Sequence, residues 1–230
     1  MKIIILAFFL IPIMVLSQVT IYTSGTSVKA DNEQLYVGMF SETSLFLGMP
    51  TIISTGQRLK PGNNTSDLLY QASGINGTIL NSKYFAFKKG VIFHDAVGKG
   101  IADSDNGPVI IGMAGSFTDT ALNGGFDAFI GTVGPGNNVF NAGVIDLEAG
   151  TEFVSCGIKS NFFTNRYYIV GTNDNQIDNS KRSIFVISCN YNASEVYWSK
   201  EYSIIESTDT LVSFVSSIYE SPLDGSLYIF

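Results

Sequence analysis

Four stretches of this 230-residue chain align without gaps, and their spacing limits what it can fold into. They run 32–38, 106–112, 165–171 and 224–230. Each opens on a turn residue (Asn32, Asn106, Asn165, Asp224), passes two spacers, and continues with three apolar or aromatic residues. The first three then close on Gly38, Gly112 and Gly171. The opening residues stand 74, 59 and 59 positions apart. Self-similarity at a period of this size marks one supersecondary unit used repeatedly.

Three further sets fall between these stretches in the same order. The first is Asp67-Leu68-Leu69-Tyr70, Asp127-Ala128-Phe129-Ile130 and Ser183-Ile184-Phe185-Val186. Thr78-Ile79-Leu80-Asn81, Asn138-Val139-Phe140-Asn141 and Glu195-Val196-Tyr197-Trp198 follow. Val91-Ile92-Phe93, Glu152-Phe153-Val154 and Leu211-Val212-Ser213-Phe214 close each unit. The extra length of the first unit is expected before Asp67, in a loop carrying Pro61-Gly62, Asn63 and Asn64.

Each unit therefore reads as four short strands, A to D, with turn signals between them. The D-to-A turns (Asp105-Asn106-Gly107, Thr164-Asn165, Asp224-Gly225) have hairpin chemistry, because Asn, Asp and Gly tolerate positive φ. Ala128-Phe129-Ile130 and Ile184-Phe185-Val186-Ile187 are apolar at consecutive positions, as in strands buried on both faces. Four-stranded antiparallel sheets repeated about every 59 residues and buried on both faces describe β-propeller blades. Val19-Thr20-Ile21-Tyr22 stands where a ring-closing D strand belongs. A β-sandwich is the alternative all-β architecture. Three units and a partial fourth are fewer than the four to eight blades of a closed ring, so the chain reads as an N-terminal piece of a longer propeller.

Phe126-Asp127-Ala128-Phe129-Ile130-Gly131 resembles the signature of the bacterial seven-bladed β-propeller repeats and of quinoprotein-like blades. Tyr168-Ile169-Val170-Gly171-Thr172 and Val196-Tyr197-Trp198-Ser199 are similar to the A and C strands of such blades. The likeness spans about residues 30–230. The first unit departs from it with Leu68-Leu69, and the third with Ser183 in place of Asp. The resemblance implies a repeat scaffold, often extracellular, with no shared chemistry.

Ahead of the repeat, Met1-Lys2 precedes an apolar run, Ile3 to Leu16, and Val15 and Ser17 suit a cleavage site before Gln18. That pattern predicts a secretory signal peptide over 1–17 and a repeat domain over 18–230. An uncleaved membrane anchor is the alternative, and the only route to a membrane partner. In a eukaryotic secretory route Asn63, Asn64, Asn76 and Asn192 are N-glycosylation acceptors. Cys156 and Cys189 could close a disulfide loop of about thirty residues, worth ~3 kcal/mol if unstrained. Two separate buried thiols are the other reading.

Composition narrows the partner classes. With 13 Lys and Arg against 20 Asp and Glu, the chain lacks the basic footprint of a nucleic-acid binder. Two Cys and one His exclude a zinc cluster or iron–sulfur site, and no metal or cofactor site is expected. Asp67 and Asp127 recur at one place in successive units, so they read as structural residues bonding a turn backbone. The run Asp103-Ser104-Asp105-Asn106-Gly107 has calcium-loop character but puts Gly107 at the fifth position and Pro108 at the sixth, so a plain hairpin is expected. His94 and Asp95 are adjacent on a strand and point to opposite faces, which rules out a direct dyad. Gly131 to Gly136 is a B-to-C hairpin with no phosphate-binding helix after it, and Trp198 on a C strand is expected to pack.

No catalytic constellation emerges. The sequence reads as that of a secreted or surface-displayed scaffold, expected to bind a protein or glycan through its face or rim loops. The alternative is a secreted propeller enzyme of glycosidase or quinone-dehydrogenase type. Glycosidase chemistry would require two non-repeated carboxylates within about 10 Å. Glu152, Glu195, Glu201 and Glu206 are non-repeated acids.

Overall fold

The computed structural model describes residues 42–46, 49–59, 66–74, 76, 78–89, 92–102, 104, 107–115, 125–134, 140–147, 151–174, 182–203 and 215–230. The leader expected over 1–17, the strand expected at Val19–Tyr22, and Asn63 and Asn64 lie outside them. Among the described residues the fold is all-β and every strand pairing is antiparallel.

The first sheet is a meander of β1 (Glu42–Phe46), β2 (Met49–Leu59), β3 (Ser66–Gly74) and β4 (Ile79–Phe85). The second joins β5 (Phe87–Lys89), β6 (Ile92–Ala102), β7 (Val109–Gly115), β8 (Phe126–Val133) and β9 (Phe140–Ile145). The third is β10 (Thr151–Lys159), β11 (Tyr167–Asp174), β12 (Arg182–Cys189) and β13 (Val196–Ser203). A hairpin of β14 (Ile218–Glu220) and β15 (Leu227–Ile229) follows.

The first and third sheets, and β6 to β9 of the second, therefore run D-A-B-C, with β5 added at the D edge of the second. The D-to-A turn is a hydrogen-bonded hairpin, and the C-to-D link crosses to the next sheet. The hairpin chemistry expected at those turns is present, since Gly107, Asn165 and Gly225 have φ of 110°, 59° and 72°. Ser104 and Gly107 close the first of them, with the Ser104 hydroxyl donating to the Gly107 carbonyl at 2.7 Å.

The first A strand is not where the sequence places it. The strand paired with β3 is β2, and the stretch 35–37 lies outside the described residues. Gly56 of β2 stands opposite Leu69, as Gly112 stands opposite Phe129 and Gly171 opposite Phe185. The four A strands begin at Met49, Val109, Tyr167 and Leu227, at intervals of 60, 58 and 60 residues. The apparent 74-residue first interval thus disappears.

Side chains of the A and B strands alternate between two separate cores. In β7 and β8, Ile110, Ala114, Phe129 and Val133 join Ile53, Leu68 and Tyr70 of the first sheet. Their neighbours Val109, Ile111, Met113, Phe126, Ala128 and Ile130 pack on Tyr167, Ile169, Phe185 and Ile187 of the third. Tyr168, Val170 and Val186 turn the other way, onto Val215 and Ile218 beside the β14–β15 hairpin. The sheets are therefore stacked face to face in chain order. This explains why the B strands are apolar at consecutive positions.

The disulfide between Cys156 and Cys189 is not formed; both thiols are free and buried. Cys156 pairs with Val170 and Cys189 with Tyr167, residues of β11 that face opposite cores, so the two sulfurs lie on opposite faces of one sheet. Burial raises both thiol pKa values, that of Cys189 to about 12, while the Ile218 backbone offsets part of the effect at Cys156. Thiolate is the reactive form. Iodoacetamide at about pH 8 should modify neither cysteine in the native chain and both after denaturation. Rapid native labelling of either would contradict this burial.

Candidate functional site

The one convergence of chemically active groups found among the described residues lies between the second and third sheets. Asp127 is the second residue of β8, Asp146 follows the end of β9, and Glu152 is the second residue of β10. Ala128 pairs with Ile145, so the register sets Asp127 and Asp146 side by side at one end of the sheet. Stacking of the third sheet brings Glu152 to the same end. One carboxylate oxygen from each residue lies within 4.8 Å of the others.

Exposure is graded across the three. Asp146 is open to solvent, Asp127 is half-buried, and Glu152 is 0% exposed. Neither carboxylate oxygen of Glu152 has a hydrogen-bond partner. Burial, then the charges of Asp127 and Asp146, push its pKa up to about 8. The backbone at Glu152 and Leu147 pulls weakly the other way without reaching hydrogen-bonding geometry with the carboxylate.

Among the described residues the preceding interface lacks this cluster. Gly98 and Val154 stand opposite the equivalent glycines Gly112 and Gly171, so Glu152 corresponds to Ala96. Asp146 corresponds to Ala86 by the same register. Only Asp127 has an acidic counterpart, Asp67. At the interface of the first and second sheets, Asp95 instead accepts from the Ser66 backbone at 2.6 Å and the Ser66 hydroxyl at 3.1 Å. That carboxylate is satisfied by donors.

Of the other residues singled out in the sequence, His94 sits on β6 opposite Phe87 of β5, and Asp95 ties the two sheets together. Trp198 packs near Tyr168, with ring centroids 6.0 Å apart, on the core beside the β14–β15 hairpin. Asn76 and Asn192 occupy the same B-to-C turn of the first and third sheets. Each accepts a hydrogen bond from the backbone two residues on, Thr78 and Ser194 respectively. Glu195 and Glu201 are exposed on the third sheet. Glu201 accepts from the Ser183 hydroxyl at 2.8 Å and from the Asn173 amide at 3.5 Å, and Asn173 stands opposite Glu152. Glu206 lies outside the described residues. Asp146 was missed in sequence; the available signal was a glutamate inside the D strand Glu152-Phe153-Val154.

A second local feature is the turn joining β10 and β11. Phe162 and Phe163 are 46% and 48% exposed on it. Their backbone N–H groups donate to the Ser160 hydroxyl at 3.1 and 3.0 Å, and that hydroxyl donates to buried Glu220 at 2.8 Å. The Arg166 guanidinium lies 4.0 Å from the Phe163 ring centroid and 4.5 Å from that of Tyr197. No family model matches the chain, and no curated protein matches it.

Proposed function

We propose that this chain forms β-propeller blades of a secreted or surface-displayed scaffold, binding a protein or glycan through its rim turns. The blade reading rests on the order of the strands and on the two-sided burial. A two-sheet sandwich gives each sheet one core face and one solvent face. The second sheet here has a different sheet on each side. The resemblance of 126–131 to bacterial propeller repeats points the same way.

The observation that carries the binding function is the turn at 160–166. Aromatic rings and arginine dominate binding energetics in protein interfaces, and flat rings also stack on sugars. Exposed Phe162 and Phe163 are held in place by Ser160 and Glu220, so little side-chain and loop entropy remains to be lost on binding. The enzymatic alternative is less well supported. A glycosidase acid must touch its glycosidic oxygen, whereas Glu152 is fully buried.

The immobilised full chain is tested against a glycan array and a panel of purified extracellular proteins. Saturable binding to one class is expected, weakened about tenfold or more in Phe163→Ala/Arg166→Ala, because hot-spot truncations cost ~2 kcal/mol or more. The variant should unfold near the wild-type midpoint. Binding to neither class, or binding indifferent to the double substitution, sinks the assignment of this turn.

A further inference from the structure

We infer that Asp127, Asp146 and Glu152 form a divalent-cation site of the calcium class, clamping the second sheet to the third. The donor set is all oxygen, which hard cations prefer and soft metals do not. The three oxygens lie within 4.8 Å of one another. That spread fits the diameter of a calcium coordination sphere, since Ca–O bonds are about 2.4 Å long.

The buried glutamate points to a ligand independently of the clustering. A fully buried carboxylate with two unpartnered oxygens needs a positive charge or a set of donors. The side-chain charges acting on Glu152 are two more carboxylates, and both oppose its ionisation. A divalent ion would reverse the sign of that interaction and coordinate all three groups. Exposed Asp146 provides the entry route, and water would complete the six to eight oxygens that calcium takes. The preceding interface does not offer the same position, because Ala86 and Ala96 replace two of the ligands there.

The site joins strands of two different sheets. Asp127 and Asp146 belong to the second sheet and Glu152 to the third. Ion binding would therefore hold two repeats in register, and stability would depend on calcium in the surrounding medium. Three carboxylates with several waters suit the weak range of extracellular modules, Kd about 10⁻⁴–10⁻³ M.

Calcium chloride is titrated into the chelator-treated full chain by calorimetry, in parallel with thermal unfolding. One ion per chain should bind and raise the unfolding midpoint. Asp146→Asn, which alters an exposed group, should weaken binding about tenfold or more while its metal-free midpoint stays near wild type. Glu195→Gln, a change of an exposed carboxylate in the β12–β13 turn, should bind as wild type does. No heat and no midpoint shift up to about 10 mM calcium would overturn the proposal. Equal affinity in Asp146→Asn would overturn the choice of ligands, and a matching loss in Glu195→Gln would reduce the effect to general charge screening.

Discussion

Gly171→Val is expected to destabilise the fold by several kcal/mol, among the largest losses a single substitution here can cause. A Cβ at Gly171 would lie 2.2 Å from the Phe153 carbonyl oxygen and 2.6 Å from the rim of the Phe185 ring. The ring could yield by a rotamer change. The oxygen belongs to the neighbouring strand β10 and cannot yield without breaking the ladder. Overpacking a close-packed core costs about 1–3 kcal/mol and more where backbone must shift. Gly112→Val should behave alike, since its Cβ would meet the Val97 carbonyl oxygen at 2.1 Å and Phe129 at 2.7 Å. The reciprocal change, Phe185→Ala, leaves a hole over Gly171 and should cost about 3–5 kcal/mol. Gly171→Ala/Phe185→Leu frees the ring contact but not the carbonyl contact, so the smaller ring-position residue should give at most partial rescue. Urea unfolding of the four variants checks this. A Gly171→Val midpoint within experimental error of wild type would show that the repeat glycine is not needed for space.

This glycine–aromatic pair also shows what the sequence made legible. Gly112 and Gly171 and the rings opposite them were visible as repeated types, and the second and third sheets follow the expected strand order. Alternation between two cores was readable too, because β7, β8, β11 and β12 lack the polar positions of a half-exposed strand. The first A strand was misplaced for a physical reason. Leu35-Tyr36-Val37-Gly38 shows three apolar residues before a glycine, whereas β2 reaches Gly56 through Ile53-Ser54-Thr55. Thr55 is nonetheless fully buried, and its hydroxyl donates to the Leu69 carbonyl at 2.7 Å. A satisfied hydroxyl is cheap to bury and invisible to a search for apolar runs. The grouping of strands was also out of phase, since a repeat carries no mark of where one sheet ends. The hairpin turns between D and A held that information, because a tight turn forces its two strands to pair.

The carboxylate cluster was only half legible for a related reason. Glu152 stood out as a non-repeated acid, but Asp127 resembled a structural residue, and Asp146 adjoins it only through the β8–β9 register. Bringing Glu152 to them required the stacking of two sheets, which no local pattern encodes. By contrast, Asn165, Gly107 and Gly225 report purely local backbone geometry, and those turns were read correctly.

Glu152 should make the chelator-treated protein lose stability as pH rises, the reverse of ordinary acid denaturation. Its ordinary pKa of 4.5 is raised to about 8 by burial and by the charges of Asp127 and Asp146. Between those values the folded chain keeps a proton that the unfolded chain has released. Folding is then coupled to proton uptake, so the unfolding free energy falls with each pH increment. The stabilisation is fully present below about pH 4.5 and is gone once pH passes about 8. At ~1.4 kcal/mol per pKa unit the swing is roughly 5 kcal/mol at most. Glu152→Gln keeps the shape and a hydrogen-bonding head but cannot ionise, and its amide can donate to the two aspartates. Urea unfolding with excess EDTA between about pH 5 and 8 should therefore show wild-type stability dropping relative to Glu152→Gln. Taking the difference between the two proteins cancels the titrating groups that do not act on Glu152. Parallel profiles would mean that Glu152 is ionised throughout, and hence that a positive partner or solvent reaches it in the folded chain.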